Sequence, residues 1–168
     1  MSYFQSRRSA VIARKGAVAT SQPLAAQAGL QMLKDGGNAV DAAVATAAVL
    51  NVVEPMSTGI GGDMFALIWD KNERKVIALN GSGRQAAAAN VDDVRKAGYD
   101  SIPNNGPGSH FAVSVPGTVD GWETALNRYG RMTLREVLQP AIDYALNGYA
   151  VSEVIANGWQ SAESAEKL

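Results

Sequence analysis

The stretch Glu54–Phe65, with the sequence EPMSTGIGGDMF, joins the longest apolar run of the chain to an alternating apolar segment. The Ala-rich run before it predicts a helix, and Phe65–Trp69 after it predicts a strand. Glycine adopts backbone angles that other residues avoid and lets a ligand or a second backbone approach closely. The glycines Gly59, Gly61 and Gly62 therefore indicate either a tight helix-to-strand connection without a ligand, or a turn whose exposed N–H groups receive an anion.

Length and composition limit the class of protein. A chain of 168 residues, with 46% apolar residues and a mean hydropathy of −0.08, suits one globular domain with its own core. The net charge is −1 with the signs interspersed, so no surface for nucleic acid is predicted. The chain contains no cysteine, which excludes disulfides, thiolate metal sites and a cysteine nucleophile within it. One histidine, His110, cannot build a multi-histidine metal site.

The sequence shows no membrane segment or export signal. The start Met1–Gln5 lacks the apolar core of a signal peptide, and the apolar run 39–53 is too short to cross a bilayer. We therefore expect a cytoplasmic protein with no membrane partner, or a periplasmic or secreted one if a leader has been removed. The last predicted helix stops at Leu168 without a glycine, a proline or a polar tail, which is typical of a chain that continues.

The residues before the Gly-rich turn predict a strand and two helices. Residues 10–20 predict a short strand, and Pro23 predicts the first turn of a helix capped by Ser21 or Gln22. We expect the Ala-rich run to form a second helix, capped by Asn38. Because alanine makes that helix thin on almost every side, it is expected to be largely buried and packed against a sheet.

The residues after the turn predict a hairpin. The strands Phe65–Trp69 and Val76–Leu79 are joined by the polar connection 70–74. A second Gly-rich turn, Asn80–Arg84, follows the hairpin.

The middle of the chain predicts a helix, a long loop and a further strand. The helix covers 86–97 with Val91 and Val94 facing inward, and the loop covers 101–109. The alternation in Phe111–Val115 predicts the strand.

The last third predicts three helices. The first follows Pro116 and is stopped by Gly130. The second opens with a capping box between Thr133 and Glu136, in which hydroxyl and carboxylate each serve an unpaired backbone N–H. Ser152 is expected to cap the third.

Two Gly-rich turns and one arginine form the candidate site. If the two strands pair, the turns Gly59–Gly62 and Gly81–Gly83 could lie at nearby edges of one sheet. Arg84 would then place a forked positive charge beside backbone N–H groups, which suits a carboxylate. On the other interpretation the glycines only connect elements and Arg84 is an ordinary surface residue. The glycine spacing fits neither the dinucleotide fingerprint nor the phosphate loop, so no nucleotide cofactor is expected.

Other catalytic patterns are weak. Glu54 and Asp63 flank the first turn, but paired carboxylates do acid–base work only where their pKa values are separated, and structural roles are favoured for both. No Gly-x-Ser-x-Gly elbow surrounds a serine of this chain, so no nucleophile is predicted. We expect His110 to be structural.

The order of five motifs closely resembles the N-terminal part of the γ-glutamyltranspeptidases, from about Lys15 to the end of the chain. In order, the motifs are PLAAQAG (23–29), GGNAVDAAVA (36–45), VEP through GIGG (53–62), VPGTV (115–119) and YG through QPA (129–141). The second motif is long enough that chance explains it poorly.

The resemblance implies the α/β class, as part of a four-layer αββα N-terminal-nucleophile hydrolase made as one self-cleaving precursor. The family's nucleophile is a threonine at the new N-terminus of the small subunit, where its own α-amine can act as base. The family's large subunit is much longer than 168 residues, so residues 1–168 would be its first segment, without an internal boundary, and no catalytic residue would lie in this chain. The implied partners are the remainder of the large subunit, the small subunit and a small-molecule amide; no cofactor or metal is implied.

This sequence departs from the family's pattern at two places. Glutamyl-handling members grip the α-carboxylate with an arginine in a segment of the type Arg-Glu-x-Ala-Pro; aligned without a gap on Leu79, that position is Ser82, and the nearest arginine is Arg84. Asp63 follows Gly62 where transpeptidases usually carry further glycines. These differences resemble the branch that includes acylases and amidohydrolases of other small carboxylated amides. The residues expected to bind substrate are Arg84, Ser82, Gly61, Gly62 and Asp63.

Two functions of different classes follow. The first is an amidohydrolase or acyltransferase acting on γ-glutamyl amides such as glutathione, or on a related carboxylated amide, in which this chain alone is inactive. The second is a non-catalytic module that binds small carboxylates through Arg84.

Overall fold

Six α-helices and one two-stranded sheet make up the regular structure of the residues that the computed structural model describes, which are 9–103, 106 and 108–160. A 3₁₀ turn at Ser109–Ala112 accompanies them. In chain order the elements are α1 (Pro23–Lys34), α2 (Ala39–Val53), β1 (Met64–Asp70), β2 (Lys75–Gly81), α3 (Val91–Lys96), α4 (Thr118–Tyr129), α5 (Leu134–Asn147) and α6 (Glu153–Trp159). The predicted α/β class is confirmed.

Local side-chain caps start the first two helices, as the sequence predicts. The Gln22 side chain accepts a hydrogen bond from the N–H of Leu24 at the start of α1. At the start of α2, Asn38 Oδ1 accepts from the N–H of Val40 at 2.8 Å, and Asp41 Oδ2 accepts from the N–H of Asn38 at 2.6 Å. The backbone donors that a helix start leaves unpaired are thus satisfied within the local sequence.

Helix α2 is the centre of the packing. Eight of its 15 residues are buried, and Ala45, Val49 and Val53 are fully so, which confirms the predicted burial. Its main neighbours in the described chain are α1, α5 and α4 rather than the predicted sheet. Small residues explain this arrangement, since a Cβ added to Gly29 of α1 would lie 2.3 Å from Thr46 Oγ1 of α2. The thin surface of α2 therefore admits a second helix at close range.

The predicted hairpin is confirmed. Strands β1 and β2 pair antiparallel, with Leu67 opposite Ala78. In the connection, Asp70 Oδ1 accepts from the N–H of Asn72 at 2.8 Å, and Arg74 takes a positive φ of 52°. One face of the hairpin packs toward α4. The other face is apolar and exposed, with fractional exposures of 68% for Phe65, 78% for Leu67 and 62% for Trp69.

Two predicted strands are wrong. Residues 10–20 form no strand, because no described segment pairs with them, and Val11 and Ile12 are exposed. Phe111–Val115 is instead the end of the 3₁₀ turn followed by extended chain, with a single antiparallel bridge between Ser114 and Gln85. A strand requires a hydrogen-bonding neighbour, which an alternating pattern does not supply by itself.

Two predicted helices differ in length or orientation. The helix predicted for 86–97 begins only at Val91, because Asn90 caps it by accepting from the N–H of Asp93 at 3.0 Å. Val94 is buried as predicted, whereas Val91 is exposed. The last helix, α6, begins after Ser152 as predicted, and residues 161–168, over which it was predicted to continue, lie outside the described residues.

No helix in the described part of the chain has the length and apolar character needed to cross a bilayer.

The capping box of α5 gives a test of local helix stability. Thr133 Oγ1 accepts from the N–H of Glu136 at 3.3 Å, and the Glu136 carboxylate accepts from the N–H of Thr133 at 2.7 Å. Thr133→Ala is expected to lower the free energy of unfolding by about 1 kcal/mol, the usual cost of a lost N-cap. Urea unfolding followed by circular dichroism measures the change. Thr133→Ser keeps the hydroxyl and should restore most of it; an unshifted midpoint for the alanine variant would contradict the role of this cap.

Candidate functional site

Three segments meet at Asp63: the first Gly-rich turn, the second Gly-rich turn and residues 114–117. Asp63 Oδ1 accepts from the backbone N–H of Gly83 and from the hydroxyl of Ser114, each at 3.0 Å. Beside it, the carbonyl oxygen of Gly62 accepts from the N–H of Gly117 at 3.0 Å. The two turns that the sequence singled out are therefore brought together.

The hydrogen bonds to Asp63 lower the pKa of its carboxyl group. The N–H of Gly83 is the largest cause, the hydroxyl of Ser114 comes next, and the hydroxyl of Ser82 adds to them. Because the pKa is lower in the folded than in the unfolded chain, the contribution to stability is fully present above the unfolded pKa. It is lost as the pH falls through the folded pKa. At neutral pH the carboxylate is ionised and can only accept hydrogen bonds.

The backbone on both sides of Arg84 is fixed, while its side chain is exposed. The carbonyl oxygen of Arg84 accepts from the N–H of Val115 at 2.8 Å. The preceding residue, Gly83, is held by Asp63 and lies so close to the facing segment that an added Cβ would be 1.4 Å from the carbonyl oxygen of Val115. Among the described residues Arg84 has no ion-pair partner. We call residues 82–85 the Arg84 strap.

The first Gly-rich turn is open. A Cβ added to Gly59 or Gly61 would have nothing within 4 Å, and neither residue takes a positive φ. Within the described chain, the N–H groups of Gly59, Ile60 and Gly61 donate no hydrogen bond. Backbone donors free of internal partners are what an anion site needs. Both interpretations of this turn therefore stay open.

The five residues expected to bind substrate lie on these two neighbouring turns, although not all are equally free. Gly62 and Asp63 already accept hydrogen bonds where the two turns meet residues 114–117, a region that we call the junction. Gly61 is exposed, as is Arg84. Ser82 is also exposed; its N–H donates to Asn80 Oδ1 at 2.9 Å and its hydroxyl to the carbonyl oxygen of Gly83 at 3.4 Å.

Sequence reasoning missed the third segment of the junction. The sequence predicts Ser114 as part of a strand, and Gly117 only as part of the turn before a helix. A Cβ on Gly117 would lie 2.4 Å from the carbonyl oxygen of Gly81, so this segment crosses the second turn at close range. The glycine in the VPGTV motif was the one signal of that approach. The next residue, Thr118, is buried, and its hydroxyl has no hydrogen-bond partner among the described residues.

Two grooves lie away from Asp63 and Arg84. One of about 710 Å³ lies between residues 15–20 and the helices α1 and α2, and another of about 970 Å³ between the hairpin and the helices α2 and α4. Neither is lined by Asp63 or Arg84. In the part of the chain that the structure describes, no group of three or more His, Cys, Asp or Glu residues could hold a metal ion.

The remaining candidate residues have contacts of a structural kind. The hydroxyl of Ser21 donates to Glu54 Oε2 at 2.8 Å and so joins the start of α1 to the end of α2. The ring of His110 stacks against that of Phe111 with centroids 4.1 Å apart.

Comparison with known proteins gives a consistent set of relatives. The model of the γ-glutamyltranspeptidase family matches residues 25–167. The chain is 49% identical over 143 residues to the glutathione hydrolase-like YwrD proenzyme of Bacillus subtilis, covering 84% of this chain and 26% of that protein. It is 40% identical over 149 residues to the acylase ACY 1 proenzyme of Pseudomonas sp. (strain SE83), covering 85% and 26%.

Solved structures agree with the sequence relatives. The γ-glutamyltranspeptidase of Helicobacter pylori superposes with a TM-score of 0.83 at 35% identity, covering 95% of this chain and 45% of that one. The cephalosporin acylase of Bacillus halodurans gives a TM-score of 0.80 at 43% identity, covering 98% and 31%. The chain spans about a quarter of the length of the curated relatives it matches.

Proposed function

The chain belongs to the γ-glutamyltranspeptidase family, whose members are N-terminal-nucleophile hydrolases and transferases, and from this premise we propose that residues 1–168 are the first segment of the large subunit of a self-cleaving amidohydrolase or acyltransferase. The observation that carries the proposal is the match over residues 25–167, together with relatives that are proenzymes about four times as long. The segment has no internal boundary, and alone it is inactive.

The chemistry would run through a threonine outside these residues. Its hydroxyl oxygen attacks the amide carbonyl carbon, its proton passes to the base, and the amine leaves carrying a proton, so that an acyl ester forms on the threonine. Water or a second amine then attacks the ester and regenerates the free hydroxyl. Water yields hydrolysis and an amine yields acyl transfer.

This chain would supply one wall of the acyl pocket. The unpaired N–H groups of Gly59–Gly61 offer donors to an anionic group, and Arg84 offers a forked cation on a fixed backbone. A substrate with a carboxylate, such as a γ-glutamyl amide like glutathione or a related carboxylated amide, fits both. Two kinds of named relative support this range, one a glutathione hydrolase-like protein and the other an acylase.

The exposed face of the hairpin supports a protein partner from the same precursor. Phe65, Leu67 and Trp69 place three large apolar side chains on one exposed surface. Contiguous exposed apolar surface of this kind marks an interaction site. We propose that the remainder of the large subunit or the small subunit covers it.

Arg84→Ala tests the substrate side of the proposal in the full-length precursor. Loss of a charge-assisted hydrogen bond costs about 1.5–3 kcal/mol, so kcat/KM for a carboxylated amide is expected to fall about 10- to 150-fold. The measurement compares γ-glutamyl-p-nitroanilide with 4-aminobutyryl-p-nitroanilide, and glutaryl-p-nitroanilide with butyryl-p-nitroanilide. Each second substrate lacks the carboxylate, and its turnover should change little.

Arg84→Lys is the matched control, because it keeps the charge but not the fork; we expect an intermediate loss. No self-cleavage and no turnover of any of the four amides by the unaltered precursor would overturn the proposed activity. An equal fall in kcat/KM for both members of a substrate pair would show that Arg84 does not bind the substrate carboxylate.

The alternative is a non-catalytic module that binds small carboxylates on the same turns. It predicts that residues 1–168 expressed alone form a stable monomer that binds glutarate through Arg84 in calorimetry. The apolar face of the hairpin argues against it, because a stand-alone module would expose Leu67 and Trp69 to water.

A further inference from the structure

We propose that Asp63 is a positioning residue, which fixes the Arg84 strap so that the guanidinium meets the substrate carboxylate, and that it does not itself touch substrate. The sequence placed Asp63 among the substrate-binding residues. The inference rests on the proposed function and assigns to one carboxylate the geometry of that same site.

The contacts of Asp63 bracket the backbone of Arg84. Its Oδ1 accepts from the N–H of Gly83, the residue before Arg84, and from the hydroxyl of Ser114, the residue before Val115. The N–H of Val115 in turn donates to the carbonyl oxygen of Arg84 at 2.8 Å. One carboxylate oxygen therefore joins the two segments immediately before the point at which they bond to each other.

Backbone contacts rather than burial hold the strap in place, and besides the bond to Asp63 they include the Gln85–Ser114 bridge and the bond from the N–H of Ser82 to Asn80 Oδ1. Arg84 and both of its neighbours Gly83 and Gln85 lie near the surface, and the Arg84 side chain makes no ion pair with a described residue. An exposed segment of this kind is ordered by its hydrogen bonds rather than by burial. Holding the backbone of Arg84 in this way limits the space that its guanidinium can sample, which reduces the ordering cost of binding a carboxylate.

The hydrogen bonds of Asp63 leave the guanidinium of Arg84 unpaired among the described residues. Both hydrogen bonds converge on Oδ1, and neither donor is the guanidinium. A salt bridge from Asp63 to Arg84 would consume the cation, and none is present between these two described residues. The carboxylate of Asp63 thus orients the backbone of Arg84 through neutral backbone and hydroxyl donors. The positive charge of Arg84 stays available for a ligand.

The test compares Asp63→Ala, Asp63→Asn and Ser114→Ala in the full-length precursor, each with the substrate pairs defined above. Asp63→Ala is expected to raise KM for the carboxylated amides about tenfold, the value of roughly one lost set of hydrogen bonds, with little change for the carboxylate-free amides. Asp63→Asn keeps an acceptor oxygen and should raise KM for the carboxylated amides about threefold or less. Ser114→Ala removes one of the two donors and should shift KM in the same direction by a smaller factor.

A double variant separates positioning from direct contact. If Asp63 acts through Arg84, then Asp63→Ala added to Arg84→Ala should change KM less than about twofold, because the group it positions is already gone. A direct contact with substrate predicts instead that Asn is as harmful as Ala and that the losses multiply. A merely structural role predicts equal losses on carboxylated and carboxylate-free substrates. Either result overturns the inference.

Comparing these variants with Arg84→Ala also separates this inference from the function on which it rests. If Arg84→Ala leaves carboxylate discrimination unchanged, the proposed function of Arg84 fails first. If Arg84→Ala removes discrimination while Asp63→Ala and Ser114→Ala preserve it, only the positioning role of Asp63 fails. Should Asp63→Ala prevent self-cleavage of the precursor, Asp63→Asn and Ser114→Ala decide the question.

Discussion

Asp41→Ala is expected to lower the free energy of unfolding by about 3–5 kcal/mol, the largest effect of any single polar substitution described here. Asp41 is fully buried in α2, and its carboxylate accepts three backbone hydrogen bonds. The N–H of Asn38 lies at 2.6 Å, and the N–H groups of Arg131 and Met132 lie at 3.0 and 3.1 Å. Removing the carboxylate would leave all three backbone donors without their partner around a side-chain position that is fully buried.

The structure around Asp41 explains why the chain cannot rearrange to recover the stability lost in Asp41→Ala. The carboxylate joins the start of α2 to the connection between α4 and α5, 90 residues further along the chain. A Cβ on Gly130 would lie 2.7 Å from Asp41 Oδ1, so the connection passes directly over the carboxylate. The Asn38 side chain reinforces this contact by donating to the carbonyl oxygen of Tyr129 at 2.6 Å. Three helices are therefore fixed relative to one another at one buried point.

Urea unfolding followed by circular dichroism measures the effect of Asp41→Ala. Asp41→Asn keeps the shape but turns an amide N–H₂ toward backbone donors, and it should lose most of the stability as well. Asp92→Ala is the control, since Asp92 is exposed and its pair with Arg95 spans 4.0 Å; little change is expected. A shift for Asp41→Ala no larger than that of Asp92→Ala would show that the buried network contributes nothing.

The correct sequence predictions are those that depend on neighbouring residues. The caps at Gln22, Asn38 and Thr133 all act on N–H groups two or three residues away, so the pattern contains both partners. The hairpin is also local, because β1 and β2 are joined by a short polar connection. The interacting residues of each of these elements lie close together in the sequence, so the sequence pattern is enough to predict the element.

Most of the wrong or missing predictions depend on distant partners, and the late start of α3 at the local Asn90 cap is an exception. Residues 10–20 have the alternation of a strand but no described neighbour to pair with. The hydrogen bonds of Asp63 could not be predicted from the sequence, because Ser114 lies 51 residues away and Gly83 lies 20 away. The predicted hairpin placed the two Gly-rich turns at nearby edges of one sheet, but the sequence did not show why each turn carries its glycines. Their reasons differ, since those of the first turn are open and Gly83 is packed against another backbone.

Gly83→Ala is expected to lower the free energy of unfolding by about 2–4 kcal/mol and to remove carboxylate discrimination. The added Cβ would lie 1.4 Å from the carbonyl oxygen of Val115, which is far inside any permitted contact, and the next nearest atoms are also backbone of Val115. No side-chain rotation can relieve this overlap, so the Arg84 strap must separate from residues 114–117. That separation would break the hydrogen bond from Val115 to Arg84 and would move apart Gly83 and Ser114, the two donors that share Asp63 Oδ1.

Gly59→Ala is the matched control for Gly83→Ala, because it makes the same chemical change in the neighbouring turn, where nothing lies within 4 Å of the new Cβ. Gly59 has no positive φ to lose, so alanine should be tolerated with a change in unfolding free energy below about 0.5 kcal/mol. Urea midpoints are compared between the two variants. KM for the paired substrates is compared between Gly83→Ala and the unaltered precursor, because the N–H of Gly59 belongs to the proposed anion site. If Gly83→Ala keeps the urea midpoint of Gly59→Ala and the KM values of the unaltered precursor, the strap is not held by its approach to Val115. If Gly83→Ala alone loses stability and discrimination together, the position of Arg84 depends on that backbone contact.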